Sequence, residues 1–213
     1  VTPLCKISFI LSPLFLRKAP SPTESTSSKM MISGCTKQAM ANAVELVKLF
    51  VLAGFKKIHL DTSMRLADDS VDRPLEDSVI ARRGAVLYKA CEEAYRQLLA
   101  KNPDEARPAF IIGSEVPVPG GAQENEDSIS VKKPSALKAT LEAYSKAFAE
   151  QGLSNAFENI IGVVVQPGVE FGDADLFIYN REKAKELTST AKKLDGTVLE
   201  GHSTDYQSAK ALR

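Results

Sequence analysis

The side chains able to do chemistry in this chain fall just beyond short apolar runs: His59 and Asp61, Glu115 followed by Gly120 and Gly121, Gln166 and Glu170, and His202 followed by Asp205. Imidazoles and carboxylates so placed can exchange protons with a bound molecule or ligate a cation. Gly120 and Gly121 can take positive φ and offer bare N–H groups to an anion such as phosphate. The amide of Gln166 can fix a polar ligand's orientation. All of them are candidate binding residues for a small polar substrate, and none is assigned a catalytic step.

The elements that must carry these groups are legible from periodicity. In FKKIHLD (55–61), alternation puts Ile58 and Leu60 on one side and Lys57, His59 and Asp61 on the other. In FIIGSEVPVPGG (110–121), a buried-strand run ends at Gly113, and Pro117 and Pro119 stiffen the turn behind it. IIGVVVQ (160–166) is a near-continuous apolar strand of the kind covered on both faces, ended by Pro167 and Gly168. TVLEGH (197–202) is a fourth strand with His202 at its end. Ser203 or Thr204 is expected to cap a last helix there.

Helical stripes separate these strands. Met40, Ala43, Val44, Val47 and Val51 share a face before Gly54; Ile80, Leu87, Cys91, Ala94 and Leu98 mark a long helix over about 76–99. Leu137, Leu141, Tyr144 and Phe148 follow a start near Pro134, and Ala184, Leu187 and Ala191 mark a weaker helix over about 181–194. Strand and helix thus alternate, which predicts a parallel sheet with functional groups at the carboxyl ends of its strands. The fold class expected is α/β, a partial TIM (β/α)8 barrel with about four of the eight β/α units. His59, Asp61, Glu115, Gln166 and His202 are expected to converge on one rim.

Residues 1–36 differ in character from the rest of the chain. An apolar run broken by Pro13 leads into Arg17, Lys18 and the polar PSPTESTSS segment. It reads as a disordered or mis-assigned leader, with a targeting peptide as the alternative, since the run is too short to span a bilayer. The domain expected is therefore 37–213. The first residue is Val1, and a chain of 213 residues is short for a complete barrel, so a fragment is expected, poorly stable alone because its sheet edges lack partners.

Lys and Arg total 27, as do Asp and Glu, with 44% hydrophobic and 25% charged residues. That balance points away from nucleic acid and from membrane surfaces, both of which favour a basic excess. Cys5, Cys35 and Cys91 are scattered with no metal-binding spacing and read as reduced thiols of a cytoplasmic protein.

Three stretches, KKIHLDTSM, GSEVPVPGGAQENED, and VVVQPGVEF followed by EGHSTDYQ, together resemble the GatZ/KbaZ family of accessory, non-catalytic subunits of class II tagatose-bisphosphate aldolase. The likeness runs from about Gln38 to Leu212 and includes AMANA and AGFKKIHLD. It implies a β/α barrel, a role in galactitol, N-acetylgalactosamine or tagatose catabolism, a sugar-phosphate ligand, and association with a catalytic aldolase subunit. The resemblance further implies that the catalytic partners hold zinc with three histidines. Those partners carry a Glu, a Gly-Gly and an acid at a spacing matched here by Glu115, Gly120, Gly121 and Glu124.

This chain departs from that pattern. One ligand position would lie in a missing amino-terminal part, another reads QPGVEF with no His, and His202 alone stands where the third would be. A catalytic zinc needs three protein ligands and an open position. No metal and no cofactor are expected in this chain, and no independent aldol cleavage. The alternative function is a metal-assisted epimerase of ketoses or sugar acids, with Asp61, Glu115 and His202 as proton carriers or ligands. A tagatose-6-phosphate kinase is not expected, because neither GxxxxGK[ST] nor GxGxxG is present.

Plainer roles compete with these. Asp61 and Glu115 can be rim charges bonded to neighbouring strand ends, and Gly120 and Gly121 can serve the turn alone. His59 reads as a hydrogen-bonded interior residue rather than a ligand. His202 reads as a site residue, oriented by Ser203, Thr204 or Asp205.

Overall fold

Apolar stripes at helical spacing, alternating with short runs rich in Ile and Val, fold into the elements that their periods predict. The computed structural model describes residues 11–12, 36–70, 72, 74–113, 130–171, 176–194, 196–202, 204 and 206–212, with the side chains of 11–12 and 212 excepted. Helix α1 (Thr36–Leu52) buries Ala39, Ala43, Val47 and Val51, one residue per turn. Helix α2 (Asp77–Lys101) has a wider buried face, including Ile80, Leu87, Tyr88, Cys91 and Ala94, because it packs between α1 and α3. Helix α3 (Pro134–Glu150) starts with its proline in the first turn, where the missing N–H costs nothing. Helix α4 (Arg181–Ala191) is capped by Asn180, whose side chain accepts from the Lys183 N–H at 3.1 Å.

The strands are β1 (Leu11–Ser12), β2 (Lys57–His59), β3 (Ala109–Ile112), β4 (Ile160–Val164) and β7 (Val198–Glu200), hydrogen-bonded in that spatial order. β2, β3, β4 and β7 are parallel, and β1 adds antiparallel to the outside of β2. A separate antiparallel pair joins β5 (Glu170–Phe171) to β6 (Leu176–Phe177). Each parallel strand lies beside the next in sequence, and the helices form a row in which α1 packs on α2, α2 on α3 and α3 on α4. A row of helices along one face of a sequentially ordered parallel sheet is the arrangement of a β/α barrel wall. The described part is an arc of such a barrel, as the alternation implied.

The curvature can be read from side chains. β2 and β7 are separated by β3 and β4, so in a flat sheet they would stand about 14 Å apart. Yet Lys57 Nζ on β2 donates to Glu200 Oε2 on β7 at 2.8 Å, and the rings of His59 and His202 are 5.5 Å apart. The sheet therefore curls, with Lys57, His59, Glu200 and His202 on its concave side. Ile58, Leu60, Phe110 and Ile112 point the other way, into the core shared with the helices. There Tyr88 meets Phe110 edge-on at 4.7 Å and Phe148 at 5.2 Å.

Two glycines let neighbouring strands close up. A Cβ on Gly162 in β4 would stand 2.7 Å from Ile111 Cδ1. Gly113, at the end of β3, has φ +126°, and a Cβ there would meet the Val164 backbone N at 2.7 Å.

Some elements differ from expectation. The short pairs β1, β5 and β6 carry no alternation long enough to reveal them. The last helix, α5 (Ala209–Leu212), begins later than Ser203 or Thr204 would set it; Ser208 caps it, its Oγ accepting from the Ala211 N–H at 3.1 Å. The polar loop after β2 is pinned to α2 by Arg83, which grips both carboxylate oxygens of Asp69 at 2.9 and 2.7 Å. No described helix is long and apolar enough to cross a membrane.

Candidate functional site

His59 ends β2, and Glu200 and His202 sit at and just past the end of β7, all at the carboxyl edge of the parallel sheet. This is where barrel scaffolds mount their chemistry. The strand period decides who meets: Lys57 with His59, and Glu200 with His202, are i,i+2 pairs on one face, and the curl brings the two pairs together.

Glu200 is the hub. Its Oε2 accepts from Lys57, and its Oε1 lies 3.2 Å from His202 Nε2. The hydrogen bonds from His202 and Lys57 hold its carboxyl at about 2, well below the usual 4.5. Glu200 is thus an anion throughout the physiological range.

His59 is wholly buried, and neither ring nitrogen has a hydrogen-bond partner among the described residues. The expectation of a hydrogen-bonded interior imidazole holds in part: the ring is interior, but no described residue bonds it, and it packs against the His202 ring at 5.5 Å and 72°. Burial, reinforced by the nearby His202, lowers its pKa from 6.5 to about 4, so it is neutral at pH 7. A neutral imidazole with a free lone pair is a ligand or a proton acceptor.

Asp61, two residues beyond His59, is also buried. Its Oδ1 accepts from the N–H and hydroxyl of Ser63 at 2.9 and 2.6 Å, within its own turn, while Oδ2 has no hydrogen-bond partner among the described residues. Its expected bonding to neighbouring strand ends gives way to this local turn. Burial raises its pKa against the opposing effect of the Ser63 bonds, and it feels the charge of His202. Next to it, Thr62 donates to the Ile80 carbonyl at 2.8 Å and ties this strand end to α2.

The other candidates are placed differently. Gln166 does not reach toward the cluster through its oxygen, because Oε1 accepts from the N–H groups of Gly168 and Val169 at 2.8 and 3.1 Å and so braces the Pro-Gly turn. Glu170 is buried at the start of β5, its carboxylate accepting from the Phe171 N–H at 3.1 Å. Glu115, Gly120, Gly121, Glu124, Ser203 and Asp205 lie outside the described residues. Among the described residues, Glu200, two positions before it, orients His202 through the 3.2 Å contact of its Oε1 with Nε2.

Glu200 and Lys57 were missed in the sequence. The alternation in KIH and LEGH already put each on the face of a histidine. What local pattern could not reveal is that β2 and β7 face one another across the curl.

The implied three-histidine zinc set can be tested against the residues present. The whole chain contains 2 histidines, His59 and His202, so three imidazoles cannot be assembled from it. The residues do not fit an aldolase-type zinc centre.

A crystal structure of a protein described as a "probable tagatose 6 phosphate kinase" from Sinorhizobium meliloti 1021 has a similar fold, with a TM-score of 0.67 and 37% identity. The match covers 83% of this chain and 39% of that one, so this chain spans about two fifths of its relative's length. Residues 31–213 match the model of the family described as D-tagatose-1,6-bisphosphate aldolase subunit GatZ/KbaZ-like. With nearly all of its length inside that match, and its strand-end acids and imidazoles on a barrel arc, the chain belongs to the GatZ/KbaZ-like family.

Proposed function

We propose that this chain is part of an accessory, non-catalytic subunit of a class II tagatose-bisphosphate aldolase. It binds the catalytic barrel and supports that subunit's activity and stability in galactitol, N-acetylgalactosamine or tagatose catabolism. The observation that carries this reading is the family match over residues 31–213, in a chain whose 2 histidines fall short of the three-imidazole zinc set. Polarising a ketose carbonyl and stabilising the enediolate of a retro-aldol cleavage is Lewis-acid work that the zinc-bearing partner would perform.

The test is co-purification. Full-length protein mixed with the catalytic subunit should elute with it on size exclusion and raise its tagatose-bisphosphate cleavage rate. Separate elution with an unchanged rate overturns the reading.

One observation favours a second reading, a metal-assisted epimerase of ketoses or sugar acids. His59, Asp61 and His202 place proton acceptors and a carboxyl of raised pKa at the carboxyl edge of the sheet. Incubation of the full-length protein with tagatose-type ketoses and keturonates, followed by sugar analysis, decides it; unchanged sugars remove it. Kinase chemistry has less support. Gly196 to Ser203, GTVLEGHS, has the glycine spacing of a phosphate loop but His in place of Lys, and β7 runs through its middle.

A further inference from the structure

We propose that His59, Glu200 and His202 form a binding site for a divalent transition-metal ion of the zinc class, with two imidazoles and one carboxylate as ligands. One ligand atom from each residue lies within 4.8 Å of the others. On a tetrahedral ion, ligand atoms held at 2.0–2.1 Å stand roughly 3.4 Å apart. Glu200 Oε1 and His202 Nε2, at 3.2 Å, are already at that separation. Closing the widest gap takes about 1.4 Å, and His202, just past the end of β7, is the ligand free of the sheet ladder.

Three further observations point to a cation. His59 is wholly buried and neither ring nitrogen has a hydrogen-bond partner among the described residues, a costly arrangement that a metal bond to one of them would partly relieve. Its ring already faces that of His202 at 5.5 Å. Lys57 holds the far oxygen of Glu200 and leaves Oε1 turned to the imidazole, as an outer partner orients a ligating carboxylate.

Two imidazoles and a carboxylate suit Zn²⁺, Co²⁺ or Ni²⁺ over Mg²⁺ and Ca²⁺, which prefer all-oxygen sets. Three protein ligands leave a fourth position open, the condition for a metal that touches substrate. This donor set differs from a three-histidine centre. The site is independent of the accessory-subunit reading, since it needs no partner chain.

The experiment uses the full-length protein, stripped with chelator and titrated with Co²⁺, then with Zn²⁺ in competition. One equivalent of Co²⁺ should bind with the intense visible bands of a four-coordinate ion, and Zn²⁺ should displace it. Loss of an outer partner costs 10–100-fold in affinity, so Glu200→Gln and His202→Gln, each confirmed folded by circular dichroism, should weaken Zn²⁺ binding by at least about 100-fold. Both residues are partly exposed, so these variants decide the matter even if His59→Gln does not fold. Absence of Co²⁺ and Zn²⁺ binding to the folded parent chain overturns the proposal, as does binding that both variants leave unchanged.

Discussion

Replacing His59 by leucine should make the protein more stable. The imidazole sits at 0% exposure with no hydrogen-bond partner among the described residues, and each buried polar group left unbonded costs about 1–3 kcal/mol. Leucine is of similar size and carries no polar atom, so at pH 7 a gain of about 1–2 kcal/mol is expected. A second consequence concerns acid. With a folded pKa of about 4 against 6.5, His59 takes up a proton in the unfolded chain before the folded one. Stability should therefore fall as pH drops from 6.5 to about 4, by about 3 kcal/mol in total, and level off below that. Glu200, held at about 2 against 4.5, adds its own loss mainly below pH 4.5. Asp61, shifted upward, acts in the opposite direction, but it is common to both proteins and cancels in the difference. Urea unfolding of parent and His59→Leu chains at intervals between pH 7 and pH 4.5, with chelator present, measures both effects. If the variant is less stable at pH 7 and the two pH slopes coincide, the reasoning about an unbonded neutral imidazole is refuted.

Contacts elsewhere in the fold set further outcomes. Arg83→Ala should cost about 2 kcal/mol in urea unfolding, because it strands the Asp69 carboxylate, only 12% exposed, and frees the loop after β2. Gly162→Ala should destabilise by about 1 kcal/mol, since its Cβ meets Ile111 Cδ1, the tip of a side chain that can move aside. Adding Ile111→Val, which removes that atom, should recover part of the loss in a double-mutant cycle. Cys91 is buried and its thiol is pushed well up by burial, so mass mapping should find it alkylated only under denaturing conditions.

Much of this architecture could be read from residue order. The stripe of Ala43, Val47 and Val51, the proline that opens α3 and the apolar IIGVV run each specify their element through local physics, and the elements appear within a few residues of where those patterns put them. The strands are shorter than their apolar runs, because pairing stops where the neighbouring strand stops. The pairing of His59 with His202 was not legible, nor was the role of Glu200. Those contacts depend on sheet curvature, a property of several strands together, and no window along the chain contains it. The turn-bracing bond of the Gln166 oxygen was not legible for a different reason. An amide two residues before a glycine satisfies the turn's own N–H groups first, and a local bond outcompetes a distant ligand.

Lys57 and Glu200 are 143 positions apart along the chain. Nothing short of stacking every intervening β/α unit brings them into register, so their contact belongs among the last events of folding. A spectroscopic reporter placed beside this ion pair would rise late in refolding, after helical signal has already recovered. Partly folded species would then carry helices and much of the core yet lack the cluster at the strand ends, which is completed only when the chain's collapse is.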